Sequence, residues 1–272
     1  MRTRNGQLEF VFQAVSLLLI LVLVHTAYEL LIRPRAATAM ARAAALRETG
    51  SDAEIPPSLA VILKDYEQQA CFTLLFWALS AMAFKAWTLR RDVRLLDQSL
   101  IQIDEGRRIL PVDARDLSRH LQRLPAPQRA ALLPRALLAA LHRFESTRNV
   151  QDVSETVTQL CLSEGERQES ELSMIRYIAW AIPSIGFIGT VRGIGMALSK
   201  AHAAVEGEIG PVTESLGTAF NSTFVSLCLS ILLMFAVHQL QLQQERHVLD
   251  VQDYAEDQLV RHLHVTRDPA AA

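Results

Sequence analysis

Two apolar stretches carry the side chains best suited to handling an ion. The second, ESLGTAFNSTFVSLCLSILLMFAVHQL (Glu214 to Leu240), places Ser215, Thr218, Ser222, Thr223, Ser226 and Ser230 within one broad helical face, with Asn221 in the same segment. The first, YIAWAIPSIGFIGTVRGIGMALS (Tyr177 to Ser199), places Gly186, Gly189 and Gly193 on one face and holds Thr190 among them. No acid lies inside either stretch. Single hydroxyls are tolerated in lipid, but a whole stripe usually faces protein or water. The pattern is that of a pore or a packed interface. A proton path through lipid normally uses a carboxylate or a histidine. The stripe has neither, so if these helices line a proton route, the titrating carboxylate comes from a second protein.

Four helical spans must hold these residues. Half of the 272 residues are apolar, and their distribution decides the class. Phe10 to Tyr28 has no charge in 19 residues, enough to cross a bilayer core of ~30 Å. Ala70 to Phe84 is also uncharged and continues through Lys85, Ala86 and Trp87, where a lysine can snorkel to the interface. The two quoted stretches complete the set. The first run is long for a signal peptide, and His25, Tyr28 and Glu29 stand where a small-residue cleavage site would be.

Basic residues set the orientation. Arg90 to Arg176 holds 14 arginines, whereas the loop between the last two spans holds only Lys200. Both termini and the middle segment are therefore expected in the cytoplasm. Arg33 and Arg35 run against this locally and are outvoted. The expected order is a cytoplasmic N-terminus (1–9), a span (10–32), a periplasmic helical hairpin (33–69), a span (70–89) and a cytoplasmic helical domain (90–176). A pore-lining span (177–199), a periplasmic loop (200–213), a pore-lining span (214–240) and a cytoplasmic C-terminal helix and tail (241–272) follow.

Within this plan, an alanine-rich helix near Ala36 to Arg47 should end at Gly50, and another should start after Ile55-Pro56-Pro57. The cytoplasmic segment should form short amphipathic helices broken at Pro111, Pro125 and Pro127, with Leu132, Leu137, Leu138 and Leu141 on one apolar face. A helix should run from Val150 into the third span. Beyond Leu240, Val248, Val251, Ala255 and Leu259 repeat at helical spacing. Asp268 to Ala272 should fray. No segment reads as strand. The expected fold is all-α, a polytopic membrane protein with four transmembrane helices and long cytoplasmic helical extensions. Three cysteines make no disulfide framework, and no metal-ligand spacing or cofactor motif is present. GFIGTVRG lacks the lysine-serine ending of a phosphate loop. Without a basic stripe interleaved with aromatics, nucleic acid is a poor fit.

Helical rise places the threonines. Thr190 lies roughly 20 Å from Tyr177, and Thr223 roughly 12 Å from Ser215. On antiparallel spans these depths meet, because together they match the hydrocarbon thickness of about 30 Å. Each threonine alone is explained by a bond to its own carbonyl at i−4. Their shared depth favours something more. Pro183 breaks the third span early and frees carbonyls that need another partner. The glycines allow close helix approach. Arg192 costs roughly 2.5 to 3.5 kcal/mol to bury. It either snorkels outward, or pairs with Asn221 or with an acid from another chain.

These residues resemble the MotA/TolQ/ExbB proton-channel family. IPSIGFIGTVRGI is similar to the family's proline, small-residue, Gly-Thr-Val-x-Gly-Ile segment on the penultimate helix, and TAFNSTFVSL to its Ala-x-x-x-Thr segment on the last. The resemblance covers residues from about 150 to 245. It puts Thr190 and Thr223 on the pore-facing threonines, with Thr218, Asn221, Ser222 and Ser226 along the same pathway, and Pro183 on the helix-breaking proline. Departures are the four-span plan where TolQ-like and ExbB-like members have three, and Arg192 where TolQ-like members commonly carry an aromatic. Thr218 replaces an acid, with Glu214 one turn earlier. The resemblance implies a stator subunit of the bacterial inner membrane. Five copies would surround the helices of two single-span partners resembling ExbD, TolR or MotB, each bringing an aspartate. The absence of further oxygen ligands favours the proton over sodium. A membrane scaffold or sensor is the competing reading and would need no such partner. An intramembrane enzyme is disfavoured, since the spans hold no paired acids, metal-ligand histidines or serine-lysine dyad.

Overall fold

A computed structural model describes residues 2–48, 58–98, 100–101 and 109–264. In chain order the helices are α1 (Arg2–Ala27), a π turn (Tyr28–Ile32), α2 (Arg33–Glu48), α3 (Leu59–Ile62) and α4 (Tyr66–Val93). There follow α5 (Pro111–Gln122), α6 (Ala126–Arg129), α7 (Leu132–Thr147), α8 (Val150–Ser199), α9 (Ala201–Val205), α10 (Gly210–Gln258) and a 3₁₀ turn (Val260–His262). Among the described residues there is no strand, only an isolated bridge between Ile109 and Leu263. Four helical segments are long and apolar enough to cross a membrane: Val11–Leu46, Tyr66–Val93, Val150–Ser199 and Gly210–His262.

The first helix does not stop where a periplasmic hairpin was expected to begin. It passes through the π turn directly into the alanine-rich α2. Pro34 supplies the reason, because its ring clashes with the carbonyl four residues back and it has no N–H to give. The wider turn immediately before it absorbs that conflict. Gly50 and Ile55 to Pro57 lie outside the described residues, as does the tail from Asp268. Between α4 and α8 prolines open helices as well as separating them. Pro111 is the first residue of α5, where Asp113 accepts from the Leu110 N–H at 3.1 Å.

The chain divides into two compact units. One comprises Met1–Ala83 and Met174–Val237, the other Phe84–Ser173 and His238–Ala272, so α8 and α10 contribute to both. In the first unit, α4 meets α8 through the Cys71 thiol, which reaches the Ile182 carbonyl at 3.6 Å, and meets α1 through Trp77 Nε1, which donates to the Gln13 carbonyl at 3.1 Å. Leu18, Phe187, Val191, Phe224, Ile231 and Phe235 point outward and are more than half exposed. A surface this apolar suits lipid.

The second unit has an aliphatic core in which Leu137, Phe144, Val153, Val157, Val251, Ala255 and Leu259 are wholly buried. Leu132, Leu137 and Leu141 bury the anticipated face, with Leu138 partly covered. Arg148, at a left-handed φ of 50°, ends α7, and Asn149 Oδ1 caps α8 by accepting the Gln151 N–H at 3.0 Å. Lys85 pairs with Glu171 at 2.8 Å rather than snorkelling free. Glu164 lies buried between Arg167 and Arg135, the latter at 3.1 Å. His247 is buried, and both its ring nitrogens lack a hydrogen-bond partner among the described residues.

Candidate functional site

The glycines of α8 meet the small residues of α10 in register. A Cβ at Gly186 would come within 2.6 Å of the Ser226 Cβ, one at Gly189 within 2.7 Å of the Ser222 Cβ, and one at Gly193 within 2.6 Å of the Ala219 Cβ. Three steps along one helix therefore match three steps along an antiparallel neighbour. Removing every Cβ from this face is what lets the backbones close to this distance. Ser222 and Ser226 occupy the space so released and are buried in the seam. Thr218 and Asn221 lie at its margin, half-buried.

At this closest approach the two threonines meet. Thr190 Oγ1 touches Thr223 Oγ1 directly, bonds the Ala219 carbonyl at 3.1 Å, and lies 3.4 Å from its own i−4 carbonyl at Gly186. Thr223 Oγ1 reaches across to the Gly186 carbonyl at 3.1 Å. Each hydroxyl has one proton to give and two lone pairs. When both protons go to carbonyls, the facing lone pairs can accept from a third donor. When one hydroxyl turns to the other, a carbonyl is released. Two arrangements are thus open to the same two protons.

Pro183 does not break the third span. Helix α8 runs through it, with Pro183 in its interior. The proline leaves the Ala179 carbonyl without its helical donor, and Ser230 Oγ of α10 supplies one at 2.8 Å. The expected extra partner for the freed carbonyl exists, and it keeps the helix whole.

Arg192 finds its acid within this chain. Its Nη2 lies 2.7 Å from Glu67 Oε2, near the start of α4. Sequence reasoning missed Glu67 because the second apolar run opens at Ala70, which left Glu67, Gln68 and Gln69 in the expected periplasmic hairpin. They belong to the first turn of the helix. An acid exactly one turn ahead of Cys71, on the same helical face, was the available signal. His25, on α1, has its Nδ1 3.1 Å from Gln69 Nε2.

The sequence profile of the MotA/TolQ/ExbB proton channel family matches residues 128–253, a region that holds both helices of the seam. No curated protein and no solved structure matches the chain. Four apolar helices make this a multi-pass membrane protein, and its residues 128–253, which carry the seam, are similar to the MotA/TolQ/ExbB proton channel family.

Proposed function

We propose that this chain is the stator subunit of a proton-driven motor in the bacterial inner membrane, with both termini cytoplasmic. Several copies, five by resemblance to the family, surround the helices of a single-span partner that supplies an aspartate. The observation that carries this reading is the contact of Thr190 with Thr223 at the closest approach of two antiparallel spans. Similarity to the family over the same region supports it.

In this reading the partner's carboxyl reaches the paired hydroxyls and exchanges hydrogen bonds with them as its charge changes. Thr218 and Asn221 line the approach, while Ser222 and Ser226 hold the seam beside it. A proton falling through the membrane potential supplies about 2.3 kcal/mol per 100 mV, and its passage turns one set of helices against the other. The chain contributes no covalent chemistry and acts as no enzyme. Helices α5 to α7 set assembly or couple to other proteins.

The test is purification of the complex with Thr190→Val or Thr223→Val in place. The complex should form as in the parent, while proton-coupled work is lost. Full retention of coupling in both variants, or isolation of a complex with no second protein at its centre, returns the chain to the class of scaffolds and sensors. A neighbouring reading frame for a small protein with one aspartate-bearing N-terminal span is the genomic counterpart of that test.

A further inference from the structure

The seam that looked free of acids in the sequence has one beside it. Glu67 is 11% exposed, against 42% for its partner Arg192. The ion pair is therefore buried on the side of the acid and accessible on the side of the arginine. Gly189, Thr190 and Arg192 span only about 4.5 Å of helix axis, so the carboxylate stands close to the level of the threonine pair. Its Cγ lies 3.2 Å from the point that a Gly189 Cβ would occupy, and the same point crowds the Ser222 side chain. Glu67 and Ser222 thus converge on one missing side chain from two different helices.

Ser222 is the second observation. Its side chain is 2% exposed, and its Oγ has no hydrogen-bond partner among the described residues. Three other serines of the stripe are engaged: Ser215 with the Pro211 carbonyl, Ser226 with the Thr223 carbonyl and Ser230 with the Ala179 carbonyl. A buried hydroxyl left over in such a seam is expensive unless something transient satisfies it. A protonated carboxyl reaching Ser222 where its side chain fills the Gly189 position would do so. Nor does stability alone account for the charges, because a buried ion pair is often no better than apolar side chains of the same volume. Ionisable groups kept at membrane depth are functional groups by default.

We propose that Glu67 is a proton-carrying acid of this chain, exchanging its proton with the Ser222 hydroxyl that fills the place of the missing Gly189 side chain, while Arg192 holds the ionised form. This rests on the pore reading above. The carboxylate takes a proton from water at the accessible side of the pair, which loosens its bond to Arg192. It then donates to Ser222 Oγ, next to Thr223 in the chain. As Ser222 Oγ takes that proton, its own hydroxyl proton passes to the partner's aspartate at the threonine pair, and the carboxylate, ionised again, returns to Arg192. Asp65, Lys64 and Glu214 lie close by, with Lys64 Nζ 3.8 Å from a Glu214 carboxylate oxygen. They surround this entrance with further charge.

Membrane vesicles from cells producing the chain with its co-purifying partner, loaded with a pH-sensitive dye, provide the test. Glu67→Gln should lower proton flux by about a hundredfold, the lower end for a positioned proton-transfer group. Glu67→Asp should recover part of it. Glu67→Gln/Arg192→Gln should stay low, although both charges are gone and no counter-ion is missing. If Glu67→Gln alone fails to accumulate, the double variant carries the test. Wild-type flux in the double variant would make Glu67 a mere counter-ion and overturn the assignment. Flux lost in Thr190→Val but kept in Glu67→Gln also overturns it, leaving the pore reading intact. Flux kept in Thr190→Val brings down both.

Discussion

Thr190 and Thr223 bond each other's helical carbonyls. Thr190 reaches the Ala219 carbonyl, four residues before Thr223, and Thr223 reaches the Gly186 carbonyl, four residues before Thr190, both at 3.1 Å. A threonine in a membrane helix ordinarily bonds the i−4 carbonyl of its own helix. Here Thr223 bonds the carbonyl of the facing helix, and Thr190 reaches that helix at a shorter distance than its own. The exchange is possible because Gly186 and Gly193, one on each side of Thr190, bring the two backbones together.

Because each hydroxyl serves the other helix, the pair should behave as one unit. Thr190→Ser and Thr223→Ser keep the oxygen and should retain coupling, whereas the valine variants should not. The double valine variant should be no worse than either single one, a strong departure from additivity. Proton flux of the four variants beside the double measures this. Independent, multiplicative losses would count against a shared site.

Ser230 is predicted to matter only because of Pro183. Ser230→Ala leaves the Ala179 carbonyl unpaired and should destabilise the spans by about 0.6 kcal/mol, and by at most about 1.7. Pro183→Ala restores the helical donor, so in that background Ser230→Ala should have little effect. Unfolding in detergent of the two single variants and the double reads the coupling directly. Equal effects in both backgrounds would contradict the assignment.

The glycines should divide sharply. A methyl at Gly193 meets the Ala219 Cα at 2.8 Å and its backbone nitrogen at 2.9 Å, which no rotamer relieves. Gly193→Ala should therefore cost about 1 to 3 kcal/mol. Gly195→Ala has nothing within 4 Å of the new atom and should be tolerated. At Gly165 the same open space, within α8, should let Gly165→Ala stabilise by up to about 1 kcal/mol. Thermal unfolding of the three variants is sufficient.

Acid should loosen the second unit. Burial holds the His247 imidazole below its ordinary value of 6.5, against the opposing pull of Asp92, Asp250 and Glu164. A depressed value means that stability is complete above 6.5 and falls as pH drops below it, because the unfolded chain then binds a proton that the folded one resists. Glu164 acts in the same direction at lower pH. Burial raises its carboxyl, but the bonds and charges of Arg167 and Arg135 outweigh this and hold it below the ordinary value of 4.5. Its contribution is present above 4.5 and is lost as pH falls below it. Asp92, raised by burial against the pull of Arg91, works the opposite way and gains from protonation. Hydrogen-exchange protection factors across 238–264, corrected for the intrinsic pH dependence of exchange, should fall below pH 6.5, and His247→Leu should remove the first part of that response.

Much of this protein was legible in its residues. Uncharged runs demanded four spans because unpaired charges and unbonded backbone are costly in lipid. Small residues at helical spacing demanded a close helix pair, and equal depths put Thr190 level with Thr223. Local pattern misled where a polar group found a distant partner. Glu67 read as part of the outer hairpin because three polar residues ended the apolar run, yet Arg192, 125 positions away, draws it to the seam. Pro183 read as a break because its own helix offers no donor to Ala179, while Ser230 on another helix does. Sequence alone determined which segments enter the membrane and which faces are small or polar, since these follow from local composition and the fixed period of a helix. Only the tertiary structure decided which hydroxyl serves which carbonyl and which acid answers which arginine, because hydrogen bonds and charges are satisfied by whatever lies nearest in space.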